Sequence, residues 1–167
     1  MTGSLIFGIG TQANNTLGSA TVFPVDANAY FTTTFNAQTN NCSYIDSGSN
    51  AYYFPSSGYP GLVACTGANS GFYCPPNLLT GLQATNQSNI ASSQTRRASF
   101  NIGNANTLFS NTADTAFSEL GGTSTAPAGC SGSFDWGLSF FYGRSVFTAI
   151  EQQTVTGTIY VGPFWAY

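Results

Sequence analysis

Short apolar runs separated by turn residues set the pattern of this chain. Residues 5–8, 20–25, 29–35 and 42–45 are rich in aromatic and β-branched side chains and are bounded by Gly, Asn, Asp and Pro, which predicts β-strands. Residues 51–54 continue the pattern after a turn of small residues, and Pro55 stops them. Further strands are expected at 81–85, 98–102, 134–137, 145–150 and 157–161. Together they predict a mainly β fold, a meander of antiparallel strands.

Helical spacing occurs in two places. Residues 104–110 predict one turn, and 112–120 put Ala113, Ala116, Phe117 and Leu120 on one stripe, with Gly121-Gly122 to end it. Residues 56–76 and 123–133 read as Gly-, Ser- and Pro-rich loops. No internal repeat or linker divides the 167 residues, a length that suits one domain over 1–167.

Composition narrows the function classes. Charged residues make up 5% of the chain, against roughly 25% in an average soluble protein, so neutral polar groups must cover the surface. Aromatic residues at 15% argue for a packed core rather than disorder. Three Arg, no Lys and a net charge of −3 leave no basic groove for nucleic acid and no attraction to a membrane surface. No run is long enough to span a membrane.

The four cysteines have no His companions and no C-x-x-C spacing, so neither a metal site nor a redox pair is expected, and no cofactor is implied. Four cysteines allow three pairings. The expected one joins Cys65 to Cys74 around a local loop and leaves Cys42 for Cys130, with four buried thiols as the alternative. Residues 5–9 are too short for a signal peptide and lack a basic flank. Met1-Thr2 runs straight into Gly3-Ser4-Leu5, which reads as an excised piece with its export signal upstream.

With no His and no Lys, the acids are the main candidates for chemistry, and Asp46 leads them. It ends an apolar strand in Tyr44-Ile45-Asp46-Ser47-Gly48-Ser49. A carboxylate can activate water when a second carboxylate shares its proton. Gly48 lets a backbone N–H approach Asp46, and the Ser47 and Ser49 hydroxyls can orient it. The same four residues also suit an ordinary Asx turn. Asp26 and Asp114 read as a turn starter and a first-helical-turn acid, Glu151 as a strand end, and Asp135 as an exposed or hydrogen-bonded strand residue, with a second carboxylate of the site as the less favoured reading.

The wider chain resembles the C-terminal lobe of the pepsin-like aspartic peptidases. The matching segments, in order, are Gly3-Ser4-Leu5-Ile6-Phe7-Gly8, Gly18-Ser19-Ala20-Thr21-Val22-Phe23-Pro24-Val25 and Ile45-Asp46-Ser47-Gly48-Ser49. Trp136-Gly137-Leu138-Ser139-Phe140-Phe141 and Ser145-Val146-Phe147-Thr148-Ala149-Ile150-Glu151 follow. More closely, the chain resembles an uncharacterised bacterial family of exported pepsin-like proteins carrying a domain of unknown function. The resemblance implies a single lobe of a two-lobed protein, exported to the periplasm, cell surface or medium. Asp46 would be one half of a catalytic dyad, Ser47 would reach toward the other lobe, and Ser49 would bond the carboxylate. Two departures stand out: Asp135 occupies an apolar position of the family pattern, and two extra residues separate Gly137 from the Val146 strand.

The implied activity is peptide-bond hydrolysis of a peptide or protein substrate, with the missing carboxylate supplied by an N-terminal lobe. A second copy of this lobe could supply it instead, each copy donating Asp46. On either route the isolated chain holds half a site and is expected to be inactive. The alternative is an exported β-rich binding or structural module that keeps the fold without turnover.

Overall fold

The computed structural model describes residues 5–91 and 94–167. Ten strands are found there: β1 Val22–Pro24, β2 Phe31–Phe35, β3 Gln38–Ile45, β4 Tyr52–Phe54, β5 Leu79–Gln87, β6 Thr95–Ile102, β7 Gly121–Thr123, β8 Asp135–Trp136, β9 Phe147–Ala149 and β10 Phe164–Ala166. One helix, α1 Ala105–Ser110, and two 3₁₀ turns, Gly67–Asn69 and Leu138–Phe141, complete the described elements. The chain is mainly β, with very little helix. Residues Met1–Ser4, including the Gly3-Ser4 lead-in expected for a first strand, lie outside the described residues, and Leu5 to Phe7 have no regular structure.

Seven strands form one curled sheet in the order β6-β5-β2-β3-β8-β4-β7, and three form a second sheet in the order β1-β10-β9. From β6 to β3 the pairings are antiparallel, as expected, although β5 beside β2 already departs from a simple meander. Beyond β3 the antiparallel expectation fails as well: β8 runs parallel to β3, and β7 runs parallel to β4. Parallel partners come from distant parts of the chain, so local turn signals could not announce them.

The curl encloses an aromatic core. Phe134 and Trp136 stack at 4.2 Å, and Phe134 stacks on Phe54 at 4.6 Å. Phe35, Phe100 and Tyr52 close around them, all buried. Trp136 Nε1 donates to Thr33 Oγ1 at 3.2 Å, Thr33 to Asn86 Oδ1 at 2.7 Å, and Asn86 Nδ2 to Tyr167 Oη at 2.9 Å. That buried polar chain links β8 across the sheet to the residue after β10.

Several expectations needed correction. Residues 112–120 form turns rather than a helix, and Ala113 and Ala116 are exposed, leaving only Phe117 and Leu120 to anchor the segment. Asn111 Oδ1 accepts from Ala113 N, and Asn111 Nδ2 donates to Asp114, local bonds that compete with helix. Gly121-Gly122 starts a strand instead of ending a helix. A Cβ there would lie 2.6 Å from Ile102 or 2.5 Å from Tyr53, so glycine marks close packing rather than a cap. The strand expected at 157–161 is a turn with an isolated bridge between Thr154 and Val161, and the last strand is β10.

Both disulfides have the expected partners, Cys42–Cys130 and Cys65–Cys74, and no described cysteine is free. Such pairing suits an oxidising compartment. Among the described residues no helix is long and apolar enough to cross a membrane. The Cys42–Cys130 link closes 88 residues of chain and Cys65–Cys74 closes 9. If restricting the unfolded chain dominates, replacing the long-range pair by alanines costs about 4–5 kcal/mol and the local pair about 2–3 kcal/mol. Urea unfolding of the two double variants checks the ranking. A second expectation concerns Gly137, whose added Cβ would stand 2.0 Å from the Ala51 carbonyl oxygen. Gly137→Ala is expected to destabilise by more than about 4 kcal/mol, measured in the same way.

Candidate functional site

A strand insertion builds the candidate site. Residues 46–51 connect β3 to β4, and β8 lies between those two strands, paired to both. Cys42, Tyr44 and Asp46 donate their backbone N–H groups to the carbonyls of Gly132, Phe134 and Trp136 at 3.2, 3.1 and 3.1 Å. The connection then crosses the end of β8 at Gly137. Leu138 N donates to Ser49 O at 2.7 Å, and the close approach of Ala51 O leaves no room for a side chain.

Asp46 is the first residue past β3 and is half-buried, while Ser47 and Gly48 are exposed. Gly48 N donates to Asp46 Oδ1 at 2.8 Å, and Ser49 N returns to Asp46 O at 3.3 Å, an Asx turn that fixes the carboxylate. A Cβ on Gly48 would stand 3.1 Å from Asp46 Oδ1, so glycine allows the approach. Ser49 Oγ lies 3.1 Å from Asp46 Oδ2. The turn therefore brings Asp46, Gly48 and Ser49 together. No hydrogen bond of the Ser47 side chain stands among those described. The disulfides stand apart from the turn: Cys42 joins β3 to the loop at Cys130, and Cys65 joins Cys74.

Asp135 is the residue that sequence reasoning undervalued. It is a hydrogen-bonded strand residue, as one expectation had it, but it is only 4% exposed. Phe134 and Trp136 turn to the aromatic core, so alternation sends Asp135 to the opposite face, level with Tyr44 and Tyr53 on its two neighbouring strands. Its Oδ2 is 2.5 Å from Ser49 Oγ. Its Oδ1 is buried and without a hydrogen-bond partner among the described residues. In the sequence an acid between two aromatics reads as a strand with one buried face, so the burial of Asp135 carried no local signal.

Burial pushes the Asp135 carboxyl up to about 6, the bond to Ser49 opposes the rise, and the charge of Asp46 adds to it. The Tyr44 and Tyr53 phenols are pushed up by burial and then by Asp135. Other acids are engaged elsewhere. Asp26 Oδ1 accepts from Asn28 N and Tyr30 N, which is the expected turn, and Glu119 accepts from Ser118 at 2.5 Å. The arrangement offers two carboxyl groups joined through one hydroxyl, with Asp46 toward the surface and Asp135 beneath it.

The Asp135 shift has a consequence for stability. A carboxyl whose folded value is about 6, against 3.8 for the free group, binds its proton more tightly in the folded state. Its contribution is fully present below about pH 4 and is lost as pH rises through about 6, a loss of roughly 3 kcal/mol. Asp135→Asn cannot ionise. The stability difference between the chain and this variant is expected to change by that amount over the interval and to level off above it, as read from urea unfolding at each pH.

No curated protein and no solved structure matches this chain. A family model described as "Protein of unknown function (DUF3443)" matches residues 1–167, and the chain belongs to that family.

Proposed function

We propose that this chain is one lobe of an exported aspartic endopeptidase and that Asp46 supplies one of its two catalytic carboxylates. The observation that carries this reading is the Asp46 turn: a half-buried carboxylate at a strand end, held by the Gly48 N–H at 2.8 Å and the Ser49 hydroxyl at 3.1 Å. Ser47 and Gly48 are exposed on the same turn, so a facing lobe has access to it. The order of segments that resembles the pepsin-like C-terminal lobe supports the same reading, as does the crossing of β3 and β4 around β8.

In the two-lobed protein, Asp46 and an acid from the N-terminal lobe share one proton, because like charges about 3 Å apart do not both ionise. The ionised member takes a proton from water as it attacks the peptide carbonyl, and the protonated member delivers its proton to the substrate. Asp46 cannot do both alone, so the isolated chain is inactive and needs its partner lobe. The two disulfides fit export, since they persist in oxidising compartments.

The test is cleavage of an unfolded protein by the full-length molecule in acid. Asp46→Asn keeps the size of the side chain and is expected to lower kcat/KM by at least about a hundredfold, and a peptide mimicking the tetrahedral intermediate is expected to block the native protein. Undiminished cleavage by the variant would overturn the assignment.

A further inference from the structure

Ser49 has a single hydroxyl hydrogen and two carboxyl neighbours, Asp135 Oδ2 at 2.5 Å and Asp46 Oδ2 at 3.1 Å. With both acids ionised, one of them would face the bare oxygen of Ser49 with no hydrogen between. Giving that hydrogen to Asp135 strands Asp46 and leaves a buried charge on a carboxylate whose other oxygen, Oδ1, has no partner among the described residues. An unpaired oxygen costs more on an ion than on a neutral acid. With one acid protonated, two orders place a hydrogen in each contact, and the one that ends on Asp135 leaves the ion buried with Oδ1 unpartnered among the described residues, so the favoured order has Asp135 donating to Ser49 and Ser49 donating to Asp46.

The surroundings favour the same order. Tyr44 and Tyr53 face Asp135 from β3 and β4, both as neutral phenols, and among the described residues the charge acting on Asp135 is that of Asp46. Among the described residues no cation acts on Asp135 to favour a second carboxylate. Hydrogen bonds running in one direction also polarise one another toward the ionised end.

We propose that Asp135 is the positioning residue of the Asp46 turn: it keeps its proton, donates it to Ser49 Oγ, and so commits the Ser49 hydroxyl hydrogen to Asp46 Oδ2. The order of the bonds is a property of this chain alone; its value for peptide hydrolysis rests on the function proposed above. Asp135 acts only through Ser49. Its effect is to hold Asp46 oriented with one oxygen occupied, so that the turn itself need not supply a further donor when a facing lobe approaches.

The test follows the side-chain carboxyl carbons of Asp46 and Asp135 by NMR in the ¹³C-labelled 167-residue chain across the acidic range. The Asp46 resonance is expected to carry a step that coincides with the ionisation of Asp135 near pH 6, at about the value burial imposes. In Ser49→Ala, Asp135 still titrates but the coincident step in Asp46 disappears. Asp135→Asn abolishes the step and keeps Asp46 at the position it holds before that step, because the amide N–H can replace the acid's O–H as donor to Ser49. A step that survives Ser49→Ala would show direct repulsion instead of a relay and overturn the proposal. So would an Asp135 already ionised near pH 4, the ordinary carboxylate range. Ser49→Ala alone decides the matter if Asp135→Asn does not fold. Cleavage by the full-length protein bears only on the peptidase reading, so each proposal can fall without the other.

Discussion

The insertion of β8 between β3 and β4 is the constraint on which the other features depend. Two residues, Asp135 and Trp136, pair with strands on both sides, and the β3–β4 connection has to pass over their end. That passage requires glycine at 137, brings Ser49 O to Leu138 N, and holds the Asp46 turn at the rim. Strand pairing, steric approach and carboxylate placement are thus one event. Any change that slips β8 by one residue would exchange Trp136 for Asp135 in the core, because the side-chain period of a strand is two.

The two faces of β8 carry opposite loads. On one, Trp136 joins Phe134, Phe54 and Phe100 in an aromatic cluster, where edge-to-face and offset contacts add to the burial of apolar area. Its indole N–H is satisfied by Thr33, and the chain of bonds continues through Asn86 to Tyr167. Each donor in that series meets an acceptor, so polar atoms cross the core without an unpaired group, and the second sheet is tied to the first. On the other face, Asp135 is left with one oxygen unpaired among the described residues. Two buried side-chain oxygens lack a partner among the described residues, Asp135 Oδ1 beneath the Asp46 turn and Asn40 Oδ1 on β3.

A chain with 5% charged residues has few ways to build an electrostatic site. Two of its six acidic residues meet through a single serine. With no cation acting on Asp135 among the described residues, burial, the Ser49 bond and the neighbouring charge set its behaviour. The same scarcity puts the work of capping and turn formation on neutral side chains. Asn104 caps α1, Asn111 folds the segment after it, and Ser131 bonds Asn41 and Thr39 to hold the loop that carries Cys130.

Local features were legible in the residues themselves. The mainly β class, strands near β1 to β6, the short helix α1 and the turn at Asp46 all follow from β-branched and aromatic runs, helical spacing and small turn residues. Both cysteine pairings were also anticipated, the short one by proximity and the long one by remainder. The false helix over 112–120 arose because spacing alone does not say whether a stripe has anything to pack against. β10 escaped notice because its three residues after Pro163 are too short a run to read as a strand despite two aromatics. What only the folded chain decided was the company of Asp46: residues 86 positions apart, Ser49 and Asp135, meet because a parallel strand enters between β3 and β4. Local preference acts over a few neighbouring residues, whereas that meeting depends on which distant strand wins a place in the sheet, and burial then gives an ordinary aspartate its unusual hold on a proton.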